Sequence, residues 1–120
     1  MSIIDMSNTK SDKPELLTGT LDLLVLKTLD TLGPLHGYGI ARRIEQMAAG
    51  AMRLSQGSIY PALIRLEQNG WIATKWGVSE TNRRVKFYSL TRAGGRQLQL
   101  EVAHWEQATA LVARILGAKA

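Results

Sequence analysis

The chain has 120 residues, room for one hydrophobic core and too few for the multi-domain body of most enzymes. Apolar residues make up 45% and charged ones 21%, a globular balance, and the absence of cysteine excludes disulfides, thiolate metal sites and thiol nucleophiles. Fifteen Lys and Arg against ten Asp and Glu give a formal charge of +5. The excess is uneven: residues 1–32 are net acidic, whereas in residues 71–90 Lys75, Arg83, Arg84 and Lys86 stand against Glu80 alone. A cationic stretch this short suggests a polyanionic partner; the plainer alternative is a solvated basic hairpin.

Residues 1–15 mix Asp5, Lys10, Asp12 and Lys13 with polar residues, which reads as a flexible tail and not as a secretory leader. The first predicted helix runs from Thr20 to Leu32, with Thr18 or Thr20 as cap and Gly33-Pro34 as stop. Its apolar positions, Leu21 and Leu24 among them, cover more than one stripe, so one side belongs in the protomer's core and the other against a second subunit. No apolar run reaches the ~18 residues of a membrane span, because Asp22 and Lys27 interrupt the best one. A cytoplasmic protein without a membrane partner is expected.

A second helix, from about Tyr38 to Ala49, turns Ile40, Ala41, Ile44, Met47 and Ala48 inward and ends at Gly50. Ser55 caps a third helix that reaches Asn69 and closes at Gly70, with Pro61 near its first turn or kinking it. If Ile59, Leu63 and Leu66 face inward, Ser58, Pro61, Ala62, Arg65 and Asn69 fall opposite. Small residues there would let the backbone approach a DNA groove, Arg65 would reach a guanine edge or a phosphate, and Tyr60 at the side would offer a hydroxyl. An ordinary amphipathic surface helix has the same pattern.

Trp71–Trp76 and Arg84–Leu90 read as strands around a flexible polar tip containing Gly77, Glu80 and Asn82. Lys75 leads into the hairpin, and Arg84 and Lys86 share a face on its return, beside Arg83. Thr91 opens a last helix reaching Leu116, with Gly94 and Gly95 leaving its first turn prone to fray. Leu98, Val102, Trp105, Thr109, Val112 and Leu116 recur at alternating steps of four and three, a heptad-like seam suited to a partner helix. His36 and His104 are the only histidines, and neither sits in a set with ligand spacing, so no metal and no cofactor is expected. The absence of a phosphate loop, a nucleophile elbow and a metal constellation argues against an enzyme.

Three short helices, a basic hairpin and a long helix predict a mainly α fold with a small β-hairpin: a winged helix-turn-helix over residues 16–91 plus a dimerisation helix over 92–120. The residues that carry this layout are Leu35-His36-Gly37-Tyr38, Gly57-Ser58-Ile59-Tyr60-Pro61-Ala62-Leu63, Arg65-Leu66-Glu67 with Gly70, Trp76-Gly77, Arg83 to Tyr88, Leu90-Thr91 and Gly94. In combination and order the sequence resembles the PadR-like transcriptional regulators with a single C-terminal helix, from about Leu16 to Leu116. Gly39, Ile59 and the doubled Gly94-Gly95 are minor departures. The resemblance implies a homodimeric repressor on a dyad-symmetric operator in double-stranded DNA, contacted through Tyr38, Ser58, Tyr60, Pro61 and Arg65, with Arg83, Arg84 and Lys86 on the wing. It also implies that Trp105 pairs across the two-fold axis and sandwiches a small planar aromatic effector, as in multidrug-sensing relatives; filling the seam as a core residue is the alternative. Two other functions stay open: a winged-helix protein-interaction module without specific DNA binding, and RNA binding, for which Trp71, Trp76, Phe87 and Tyr88 are the only stacking candidates.

Overall fold

The structure is a computed structural model that describes residues 18–117. The predicted tail at 1–15 lies outside the described residues, as do the last three positions of the terminal segment. In chain order the elements are α1 (Thr18–Leu32), β1 (Leu35–His36), α2 (Gly37–Met47), α3 (Gln56–Gln68), β2 (Ile72–Val78), β3 (Arg84–Leu90) and α4 (Arg92–Leu116). The strands form one antiparallel sheet in the order β1-β3-β2. Three short helices with a hairpin wing and a long last helix make a mainly α, winged helix-turn-helix fold. The two-residue β1 is an addition to the sequence reading, since a strand that short has no periodicity to detect.

The core lies where α1, α2 and α3 meet above the base of the sheet. Val25, Leu26, Ile40, Ile59, Ala62, Leu63 and Leu66 are wholly buried there, with Ile72 and Tyr88 closing it from the strands. Thr28 is buried among them because its hydroxyl donates to the carbonyl of Leu24 (2.7 Å), one turn back in the same helix. Ser55 and Thr91 cap where the sequence places them, His36 is a cap the sequence reading does not name, and Thr20 lies inside α1 and does not cap it. Ser55 accepts from the amide of Ser58, Thr91 accepts from the amide of Gly94, and the His36 ring accepts from Gly39 through Nδ1, which opens α2. The link between α2 and α3 is held by Glu45, whose carboxylate accepts the Leu54 amide at 2.8 Å.

Two expectations about α1 and α4 are corrected. Part of the second apolar side of α1 is covered by α4 of the same chain, which takes Leu21 and Leu98 away from any partner. Leu21 is 6% and Leu98 5% exposed, both inside the protomer's core, and Leu24 and Val102 are packed against it. Nor do the two glycines open the first turn of α4, where the Gly95 amide donates to the Thr91 carbonyl (2.9 Å). Thr91 donates its hydroxyl to the Gly70 carbonyl (2.7 Å) and its amide to the Trp71 carbonyl (3.0 Å), so the helix is tied to the turn after α3. Gly94 is buried against that turn, and a Cβ there would lie 2.0 Å from the Trp71 carbonyl oxygen. The glycine that weakens the helix in isolation is what lets it dock.

Gly94→Ala should therefore lower stability by about 2 kcal/mol through forced displacement of α4. Helix propensity alone would give a gain of about 1 kcal/mol, so denaturant unfolding distinguishes the two by sign.

Candidate nucleic-acid interface

The candidate surface starts from how α3 divides its residues. Ile59, Ala62, Leu63 and Leu66 are buried, whereas Gln56, Gly57, Ser58, Tyr60, Pro61, Ile64, Glu67 and Gln68 are exposed. Ala62 is thus a core residue and not part of the outer face, because it sits a turn from both Ile59 and Leu66 and is too small to be spared from that contact. Pro61 is the sixth residue of the helix, where it withholds an amide from the ladder on the solvent side.

Arg65 is placed differently from the expectation. Its Nη2 donates to Asp22 Oδ1 of α1 at 2.7 Å, with the two side chains 40% and 16% exposed. Its Nε is buried without a hydrogen-bond partner. Through this pair the half-exposed guanidinium clasps α3 to α1. Asp22 had signalled only an interrupted apolar run; nothing local in the sequence couples two residues 43 positions apart.

The wing is ordered by its register. Trp76 pairs with Lys86 and Val78 with Arg84, so Trp76, Val78, Arg84 and Lys86 share one face. The Arg84 guanidinium lies over the Trp76 ring, 4.6 Å from its centroid, a cation–π contact that holds the charge out from the sheet. Lys75 pairs with Phe87 and stands on the face opposite Arg84 and Lys86. The tip forms a hydrogen-bonded turn. The Ser79 hydroxyl accepts the Arg83 amide (3.2 Å), its own amide donates to the Arg83 carbonyl (2.8 Å), and Asn82 takes a left-handed φ of 64°. Gly77 lies inside β2, outside that turn.

Between the wing and the first turns of α2 and α3 runs a cleft of ≈ 740 Å³. Gln56 and Tyr60 line it from α3, His36 from β1, Tyr38 from α2, and Trp76, Arg83, Arg84 and Lys86 from the wing, with Glu80 the one acidic group. Gly37 makes this junction tight: a Cβ there would come within 3.0–3.1 Å of the Tyr60 ring. Tyr38 stands 55% exposed, its ring stacked near His36 (6.4 Å, 7°) and beneath Arg42 (5.9 Å). Arg42 is a cation at the cleft's edge that sequence reasoning left out as ordinary helix surface. Tyr88 lies at the floor; burial first, then Tyr60 and Glu67, push its phenol up from the ordinary value, so it remains a neutral hydrogen-bonding group.

Beyond Val102, every described residue of α4 is exposed. Trp105 (49%), Leu111 (58%), Val112 (52%), Ile115 (67%) and Leu116 (81%) leave that half of the helix with an apolar surface. Trp105 borders a shallow hollow of ≈ 250 Å³ with Gly19, Thr20, Leu23, Glu101, His104 and Ala108. Among the described residues, no group of three or more His, Asp or Glu is placed to hold a metal ion.

Residues 25–100 match the transcriptional regulator PadR-like family. The chain belongs to it. This PadR-like regulator shares its fold with a transcriptional regulator from Clostridium thermocellum (27% identity, TM-score 0.73, covering 80% of this chain and 92% of that one). A PadR family transcriptional regulator from Eggerthella lenta is similar at 28% identity and TM-score 0.70, covering 82% of each chain. A PadR-like regulator from Bacillus cereus gives 25% identity and TM-score 0.70, covering 83% of this chain and 94% of that one. An uncharacterized 37.1 kDa protein in transposon TN4556 of Streptomyces fradiae is 39% identical over 84 residues, 70% of this chain. The PadR-like chain spans 22% of that relative's length. No described helix of the regulator is long and apolar enough to cross a membrane.

Of the residues flagged in the sequence, the structure gathers Tyr38, Tyr60, Arg83, Arg84 and Lys86 around the cleft, with Ser58 and Pro61 on the adjoining outer face of α3. Lys75 and Arg65 lie elsewhere. Asp22→Ala and Arg65→Ala should each cost about 1–2 kcal/mol, between exposed and fully buried ion pairs. The double variant should lose little more than either single one, and additive losses in a double-mutant cycle would mean that the pair is not coupled.

Proposed function

We propose that this PadR-like regulator binds a dyad-symmetric operator in double-stranded DNA as a homodimer and represses transcription from it. The observation that carries the reading is the shared cleft: the exposed face of α3 and the cationic face of the wing border one concave surface. With α3 in the major groove, the wing reaches the flanking backbone. Arg83, Arg84 and Lys86 then supply phosphate neutralisation, and Tyr38, Ser58 and Tyr60 supply hydroxyls that fix register without reading sequence. Pro61 keeps the helix surface low at the groove. Lys75, on the far face of the wing, is left for a phosphate farther along the duplex. Arg65 acts through Asp22 by holding α3 in place, and its loss would weaken binding to operator and random DNA alike. The cytoplasm is the compartment this function requires.

Dimerisation is supported by the bare half of α4. An apolar helix surface carrying Trp105, Val112 and Leu116 suits a second copy of itself, which in a two-fold arrangement sets the two α3 helices about one DNA turn (~34 Å) apart. The residues 92–120 are thus assigned to dimerisation and 16–91 to DNA binding. The hollow beside Trp105 is below the ~300 Å³ of usual ligand pockets. A planar aromatic effector would therefore need the second copy's Trp105 to close over it.

Selection of bound sequences from a random duplex pool should return an inverted repeat, whereas no enrichment in low salt would favour the protein-interaction module. Arg83→Ala with Arg84→Ala should reduce the slope of log K against log salt by up to about 3.6, at about 0.9 per phosphate for the four arginines of the dimer. An unchanged slope would take the wing off the DNA. Trp105→Asp should give a monomer by light scattering and abolish any binding of planar cationic dyes; a dimeric variant would remove Trp105 from the interface.

A further inference from the structure

The middle of the surface that α3 presents is apolar. At 100° per residue, Gly57, Pro61, Ile64 and Gln68 form one stripe directly opposite the buried Ile59, Ala62, Leu63 and Leu66. Ile64 is 55% exposed at the centre of that stripe. Gly57 and Pro61 are short, so Ile64 projects farthest of the three toward anything that docks on the first turns. A β-branched side chain on a helix holds one χ1 rotamer, which makes it a stiff knob.

Its polar neighbours flank the stripe and do not share its centre. Arg65 is bound to Asp22 (2.7 Å), Gln56 and Tyr60 turn into the cleft toward the wing, and the Ser58 hydroxyl sits 3.3 Å from that of Ser55 at the helix cap. What remains in mid-helix for direct readout is a hydrocarbon. Of the groups that base pairs display in the major groove, only the C5-methyl of thymine is apolar; the rest are hydrogen-bond donors and acceptors that an isoleucine would desolvate without replacing.

We propose that Ile64 is a specificity-determining residue that reads one thymine in each half-site through its C5-methyl. The wing cations bring the helix to the duplex, and Ile64 rejects a cytosine or a purine edge at that position. This inference rests on the operator-binding reading above, and the experiment separates the two.

The full chain is used to select duplexes from a random pool, and each thymine of the enriched half-site is replaced in turn by deoxyuridine, symmetrically in both half-sites. Removal of the relevant methyl should weaken binding about fourfold per half-site, from roughly 0.8 kcal/mol per buried carbon, and so on the order of fifteenfold in the dimer. Ile64→Ala should be indifferent to that same replacement, keep its affinity for random duplex and unfold at the wild-type midpoint, since the side chain is exposed. Ile64→Val should retain part of the discrimination. An enriched half-site lacking thymine, one in which no uracil replacement matters, or a methyl effect that persists in Ile64→Ala would each overturn the role of Ile64 while leaving operator binding intact. A pool that enriches for nothing would overturn both.

Discussion

What α3 offers outward depends on how firmly its inner face is held. Ile59, Ala62, Leu63 and Leu66 are without solvent exposure, locked between α1, α2 and the base of the sheet. Two polar clasps then fix the rotation of the helix about its own axis. Arg65 reaches sideways to Asp22 on α1, and Glu67 accepts from Thr74 of β2 at 3.3 Å on the other side. A rotation of one residue, 100°, would bring Tyr60 to the place of Ile59 and Ile64 to that of Leu63, and break both contacts. The burial of Nε at Arg65 without a partner is tolerable in this light: the ion pair sacrifices part of a guanidinium's hydrogen bonding to a geometric constraint.

The cleft depends on a second constraint, the close approach of elements that carry no long side chains at the contact. Gly37 lets the start of α2 lie against the Tyr60 ring, so the aromatic groups of two helices share one wall. Across from them the wing stiffens its own charges. Arg84 rests on Trp76, and Ser79 draws the turn closed around Arg83. Cations held by a ring and a turn lose less rotamer freedom on meeting an anion than cations on free side chains. The wing therefore presents its charge in advance and not as a mobile fringe.

Much of this was legible in the sequence because it is local. Caps at Ser55 and Thr91, stops at Gly33 and Gly70, and the alternation that places Arg84 with Lys86 all act within a few residues. The errors share the opposite character. Ala62 was put outside because three larger residues were enough to define an inner face, and a small residue gives a weak pattern. The pairing of Arg65 with Asp22 comes from a helix 43 residues away, and no local pattern announces it. Strand register sends Lys75 to the face opposite Arg84 and Lys86, which nearness in sequence does not show. Leu21 and Leu98 were assigned to a partner because an apolar excess does not say which neighbour covers it. Gly94 misled most directly: helix propensity is a local quantity, and the Trp71 carbonyl that requires the glycine is reached only through the tertiary fold.

That last contact also links the two halves of the molecule. Thr91 bonds to Gly70 and Trp71, Gly94 packs on the Trp71 carbonyl, and the Trp71 amide bonds back to Leu66 in the final turns of α3. The base of α4 is therefore joined to the end of α3 through one short turn, with backbone hydrogen bonds and no long side chain between them. A junction of this kind transmits orientation with little slack. Whatever holds the far half of α4, a second copy in the reading favoured here, also fixes the direction in which Ile64, Ser58 and Tyr60 point. Any reorientation of the paired α4 helices would be passed to the separation of the two α3 faces, and with it to the spacing of half-sites that the dimer can span.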